Sequence, residues 1–406
     1  MNTKLSVTAK DIQDAQDTIK NLINITPCDF SKSATDLVGT EVYLKLENTQ
    51  RTGSFKIRGA ANKIASLTAE EKLRGVICCS AGNHAQGVAL SSTLNGVRSV
   101  IVMPENAPIA KVEATKKYGA EVILHGLTFD DAKELALKLA EEKKYVFVHP
   151  YEDAKVIAGQ GTIGFEVCQQ IQNLDSIVVP IGGGGLISGI AIAAKHINPK
   201  IKIIGVQTEV VSTMAQMFQR QTYTPITTGI STLADGIAVK APSTVMYENF
   251  ISKYVDNVVT VNEGQIAEAI VFLLERAKTV AEGSGAVALA AVLNQKLNLG
   301  QKTCVMVCGG NIDLNIVSDI IQRGQIRRGR LCDLSVIVPD VPGSLSRLTQ
   351  AIAENRANIL EVHHDRVKHG LSLKETRIDF VIETASHAHI EAIRGCLIKL
   401  GARFVD

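Results

Sequence analysis

At 406 residues the chain exceeds one ordinary core and calls for two or three domains, and 46% hydrophobic with 21% charged residues are globular values. A formal net charge of +2 without a long basic block, together with 4% aromatic residues and no Trp, argues against a phosphate-tracking groove or a base-stacking platform for nucleic acid. No run of 18 apolar residues argues for a membrane span, and eight cysteines without paired Cys-x-x-Cys knuckles indicate neither a zinc site nor a disulfide framework.

The amino-terminal residues lead into a polar, helix-like segment with no signal-peptide core, so the chain reads as a cytoplasmic soluble protein. Residues 41–47 alternate as a strand, 48–53 read as a loop, and Ser54 is the candidate N-cap of the helix that follows. Lys56 falls in that helix's first turn, where the positive end of the helix disfavours an ammonium and makes the neutral, nucleophilic amine accessible. Strands are expected at 75–80, 97–104, 120–124 and 145–149, then at 176–181, 201–207 and 303–308, with helices after nearly all of them. This alternation predicts an α/β fold with parallel-rich sheets.

Three of the junctions carry chemistry. Ser80-Ala81-Gly82-Asn83-His84 joins a strand to a helix, where main-chain N–H groups can hold a carboxylate and Asn83 offers an amide. Gly182-Gly183-Gly184-Gly185 opens the helix near Leu186 with no side chain in the turn, so its amides can close around a phosphate. The third is Lys56 itself. Each follows a strand, and together they are expected to converge along one sheet edge. A dinucleotide site with Glu209 as ribose ligand is the competing reading, but the register Gly183-x-Gly185-x-x-Ser188 lacks its third glycine. Pyridoxal phosphate uses all three: an aldehyde for Lys56, a phosphate for the glycines, and a ring that acidifies an amino acid's α-proton.

Beyond Ile326-Arg-Arg-Gly-Arg330, which reads as a connector, the pattern changes. A strand at 331–338, a turn at 339–343, a helix face of Leu345, Leu348 and Ile352, strands at 359–363 and 378–382, a helix carrying Ile390, Ile393 and Leu397, and a strand at 402–405 make a βαββαβ, ferredoxin-like module.

The runs Ser54-Phe-Lys-Ile-Arg-Gly-Ala60, Ser80 to His84, Gly182 to Gly185 and Cys308-Gly-Gly-Asn311 together resemble the threonine dehydratase branch of the fold type II pyridoxal phosphate enzymes, and the tail resembles an ACT domain. The resemblance implies a catalytic region over 1–325, with a small subdomain of about 48–150 inserted in a larger one, a linker at 326–330 and a regulatory domain over 331–406. It implies Lys56 as the Schiff-base lysine, Phe55 against the cofactor ring, Asn83 on the ring hydroxyl, Gly182 to Leu186 on the phosphate, Cys308 at the pyridine nitrogen, and Ser80, Ala81, Gly82, Asn83 and His84 around the substrate carboxylate. Asp235 and Glu282 fall where the resembled enzymes place residues beside the cofactor, with turn and helix-cap roles as the competing reading. The implied reaction is β-elimination of L-threonine to 2-oxobutanoate and ammonia, with L-serine giving pyruvate and the cofactor phosphate serving as acid for the leaving hydroxyl.

Similar serine racemases carry a serine where this chain has Ala81, and alanine cannot deliver a proton. Their acidic metal site has no second acid here between Val210 and Ala215, so no metal is expected. The tail implies an amino-acid effector at Gly343, Asn358 and Ile359, and the family implies a homodimer or homotetramer. Effector identity, and isoleucine biosynthesis against threonine catabolism, stay open. A serine dehydratase or a non-catalytic amino-acid sensor are the other readings.

Overall fold

The computed structural model describes residues 5–220, 222–226, 229, 231–367 and 371–405. The chain forms two compact units, one ending at Ile312 and the other beginning at Asp313.

The first unit holds two sheets. The larger has six strands in the order Cys28–Phe30, Glu41–Leu46, Lys302–Val307, Ser176–Pro180, Lys202–Thr208 and Asn257–Val261. Every pairing is parallel except that of the edge strand Cys28–Phe30. The smaller sheet is fully parallel, in the order Glu121–Leu124, Ser99–Met103, Val76–Cys79 and Val146–Phe147. Its inner strands are buried throughout, and apolar but for Ser99, because helices cover both faces. The edge strand Cys28–Phe30 and the closing strand Asn257–Val261 were not expected from the sequence: one is three residues long, the other follows a stretch without a clear period.

Lys56 and the tetraglycine lie on either side of one helix, Ala154–Gln170. Helix Lys56–Ala65 packs on one flank and helix Gly185–Ile197 on the other. Each contact brings main chain against main chain at a glycine. A Cβ on Gly159 would stand 2.5 Å from the Arg58 carbonyl, and one on Gly189 would stand 2.5 Å from the Ile157 carbonyl.

Below Lys56 lies a buried ionic cluster. Arg58 donates to Glu47 from Nε and Nη2, each at 2.8 Å, and to Glu166 from Nη1 at 2.6 Å and from Nη2 at 2.9 Å, while Lys45 reaches Glu166 at 2.7 Å. Two cations face two anions with their hydrogen-bonding capacity used, which is how such a group tolerates removal from water. It ties the lysine-bearing helix to helix Ala154–Gln170 and strand Glu41–Leu46.

The second unit is a four-stranded antiparallel sheet, Asn358–Asp365, Glu375–Glu383, Leu331–Pro339 and Arg403–Phe404, with helices Ser344–Glu354 and His387–Lys399. Leu334, Val336, Ile352, Phe380 and Ile393 form its core. Helix Leu314–Arg327 precedes the first strand within this unit.

Candidate active site

Lys56 is the first residue of its helix, as expected, but Ser54 does not cap it. Phe55 occupies the cap position without a side-chain hydrogen bond, and Ser54 Oγ is buried without a partner among the described residues. The reason is long-range: Ser54 bridges Gly309, Phe55 N donates to the Cys308 carbonyl at 3.2 Å, and Gly310 N donates to Gly53 O at 2.9 Å. This stitching commits Ser54 to a bridge, leaves Phe55 with helical backbone as the cap, and brings the Cys308 to Asn311 run beside the lysine.

The Lys56 amine donates to the Pro150 carbonyl at 3.2 Å and stands 5.2 Å from the Phe55 ring centre. Burial lowers its pKa to about 8, against the raising influence of Cys308 and Glu282. Roughly a tenth of the amine is therefore neutral at pH 7, far more than for an ordinary lysine.

The glycine turn follows strand Ser176–Pro180 and opens helix Gly185–Ile197, with Gly184 at φ +95°. A side chain at Gly183 would overlap the Tyr151 ring, and one at Gly185 would meet Tyr151 Cβ at 3.0 Å. Among the described residues, no protein acceptor takes a hydrogen bond from the amides of Gly182 to Leu186. Free amides at a helix's positive end, in a turn with no room for side chains, fit a phosphate.

Cys308 follows strand Lys302–Val307 and is buried. Desolvation pushes its thiol well above the ordinary range, so it stays neutral. A pyridine nitrogen placed against it would meet a neutral partner, not a carboxylate.

Asn83 begins helix Asn83–Leu94 and does not cap it with its side chain. Its Nδ2 donates to Glu282 Oε1 at 2.6 Å, and its Oδ1 accepts from Asn311 Nδ2 at 2.7 Å, leaving one N–H for a ligand. Ser80 Oγ accepts from Gly82 N at 3.2 Å. The buried His84 ring donates from Nε2 to the Val148 carbonyl at 2.9 Å, and burial with the nearby Lys56 charge lowers its pKa to about 3. Its ring is thereby neutral and committed, leaving the main chain of the Ser80 to His84 loop for an anion. Ala81 packs against the apolar core beneath the smaller sheet.

Glu282 is 9% exposed, and its pKa is raised to about 7, chiefly by burial and then by Asp235; the Asn83 hydrogen bond, Lys111 and Lys56 oppose this. Asp235 itself is largely exposed and pairs with Lys111 at 3.4 Å. Glu209 is exposed in a turn after strand Lys202–Thr208.

The expectation of a single sheet edge requires correction. Lys56, Gly182 and Cys308 follow strands of the six-stranded sheet, whereas the Ser80 to His84 junction follows Val76–Cys79 of the smaller sheet. The site is assembled between two sheets, with Asn83 crossing to Glu282 and Asn311. Tyr151 and the Pro150 carbonyl were missed by the sequence reading. Their signal was the His149-Pro-Tyr-Glu152 run at a strand's carboxyl end.

In the second unit, Gly343 at φ +89° precedes helix Ser344–Glu354, exposed Asn358 donates to Glu383 at 2.9 Å, and Ile359 packs partly against the core.

The amine, the free amides, the buried thiol and the spare Asn83 N–H fit pyridoxal phosphate. Residues 19–310 match the family model described as pyridoxal-phosphate dependent enzyme, and 333–402 match that of the ACT domain. The chain belongs to the pyridoxal-phosphate dependent enzymes, with a carboxyl-terminal ACT domain. It is 48% identical to the L-threonine ammonia-lyase of Thermotoga maritima over 97% of this chain and 98% of that protein. Among solved structures it resembles a processed threonine deaminase isoform from Solanum lycopersicum, at 32% identity and TM-score 0.73 over 80% of this chain and 92% of that one. Maize serine racemase is similar at 34% identity and TM-score 0.73, over 79% of this chain and 98% of that one.

Proposed function

We propose that this chain is a threonine ammonia-lyase: it eliminates the β-hydroxyl of L-threonine to give 2-oxobutanoate and ammonia, and acts likewise on L-serine to give pyruvate. Bound pyridoxal phosphate supplies an electron sink that makes the substrate Cα–H acidic. Lys56 anchors the cofactor covalently and, as a neutral amine, takes the proton from Cα. The amides of Gly182, Gly183, Gly184, Gly185 and Leu186 hold the phosphate, Phe55 packs on the ring, and Cys308 meets its nitrogen without charge. Ser80 to His84 orient the substrate carboxylate through their main chain.

The observation that carries this reading is the desolvated Lys56 amine, with its pKa near 8, bonded to the Pro150 carbonyl next to the tyrosine that packs on the phosphate cradle, and close to a neutral thiol. Ala81 favours lyase over racemase, since similar serine racemases carry a proton-donating serine at that position and alanine has no proton to give.

Residues 1–325 act as the catalytic region and 331–406 as a regulatory domain binding an amino acid near Gly343, Asn358 and Ile359, in a cytoplasmic homodimer or homotetramer. Purified protein carrying the cofactor should show a visible band that borohydride removes, with the label on Lys56, and should release 2-oxobutanoate from L-threonine. A reducible band without ketoacid from threonine or serine would refute the lyase reading.

A further inference from the structure

Asn311 ends a line of hydrogen bonds that runs through Asn83 to Glu282. Its Nδ2 donates to the Thr52 carbonyl at 2.8 Å and to Asn83 Oδ1 at 2.7 Å, and Asn83 Nδ2 donates to Glu282 Oε1 at 2.6 Å. A peptide carbonyl stands at one end and a carboxylate at the other, and neither has a hydrogen to give when the carboxylate is ionised. Two amides between two acceptors can be arranged in only one sense. If Asn83 turned over, its oxygen would face the carboxylate of Glu282 and its NH₂ would face that of Asn311. If Asn311 turned over, its oxygen would face the carbonyl of Thr52.

Two glycines leave room for this line. A Cβ on Gly53 would overlap the Asn311 amide, and one on Gly309 would overlap the Glu282 carboxylate and stand 3.2 Å from Asn83 Nδ2. Both hydrogens of Asn311 are used, whereas Asn83 keeps one.

We propose that Asn311 is a positioning residue: by donating to Asn83 it holds that amide with N–H, not C=O, towards the ring hydroxyl oxygen of pyridoxal phosphate. The proposal rests on Asn83 being the partner of that oxygen. A donor there favours the ionised ring oxygen and the visible absorption that accompanies it, whereas a carbonyl would repel it. The Thr52 carbonyl does not titrate, so the Asn311 end keeps Asn83 oriented when Glu282 takes up a proton. Glu282 is faced by Asp235, Lys111, Lys56 and Asn83, so its charge does change with conditions, and without Asn311 the orientation should follow that charge.

The test is titration of cofactor-free protein with pyridoxal phosphate, following the visible band, alongside melting of the cofactor-free form. Asn83→Ala examines the underlying reading: unchanged affinity and band there would remove Asn83 as the partner, and the relay with it. With Asn83→Ala impaired, Asn311→Asp should weaken cofactor binding about tenfold or more and move absorption towards the near-ultraviolet. Asn311→Ala should weaken it severalfold and make the band fade as pH falls through the titration of Glu282, while the wild-type band holds. Glu282→Gln, whose amide oxygen still accepts from Asn83, should weaken binding less than Asn311→Asp does. Should Asn311→Asp fail to fold, the pH dependence of Asn311→Ala decides. Wild-type affinity and band in the Asn311 variants would overturn the proposal, as would a fall in melting temperature with no change in the band.

Discussion

Replacing Glu282 by Gln removes a carboxyl that the folded chain holds protonated up to about pH 7, against an ordinary value of 4.5. Across that window the folded state retains a proton that the unfolded chain has lost, so stability falls as pH rises from 4.5 to 7 and then levels off. Each pH unit of the window corresponds to about 1.4 kcal/mol, giving a total of about 3 kcal/mol. The Lys56 amine acts in a separate range: its pKa of about 8 lies below the ordinary 10.5, so its contribution to stability rises with pH between those values. His84, whose pKa of about 3 lies below the ordinary 6.5, adds a contribution that rises with pH up to about 6.5, but it and the remaining carboxyls are common to both proteins and cancel in the comparison with Gln. The stability of Glu282→Gln relative to wild type should rise by about 3 kcal/mol between pH 5 and 8. Urea unfolding of cofactor-free protein, followed by tyrosine fluorescence, reads this cleanly. The chain has no Trp, and all seven tyrosines precede Ile312, so the signal reports the first unit alone. Stability curves that stay parallel to within about 1 kcal/mol would show that Glu282 is not desolvated as argued.

Lys56→Ala should lose covalent cofactor attachment and at least about 10²-fold in ketoacid production, checked by borohydride labelling and single-turnover assay. Gly183→Ala drives a methyl into the Tyr151 ring and should weaken cofactor binding about tenfold, with partial recovery in the double variant Gly183→Ala/Tyr151→Ala. Arg58→Met leaves buried Glu47 without its cation and should cost about 3–5 kcal/mol, read as a lowered urea midpoint in the same fluorescence assay.

The features legible in the sequence are those encoded within a few residues. Lys56 after a loop, four glycines between a strand and a helix, and Cys308 at a strand's end each declare themselves through local pattern. The Ser54 cap failed because a distant segment, Cys308 to Gly310, claims that stretch by main-chain pairing. Arg58, Lys45, Glu47 and Glu166 look like surface charges in the sequence, and only the fold places them together away from water. The division between two sheets was likewise illegible, since strand alternation says nothing of which strands pair. Asn311 was visible as part of a motif, but its orientation depends on Thr52 and Glu282, far from it in sequence.

Helix Ala154–Gln170 meets the lysine-bearing helix at Gly159 and the helix that follows the phosphate turn at Gly189 by close backbone approach, in addition to the side-chain packing and ion pairs around those crossings. A spacer of this kind has a fixed gauge. A single methyl added at either glycine would force the two backbones apart and widen the span a cofactor must bridge. Redesign of this chain for new substrates therefore has to keep the thickness of those two backbone crossings.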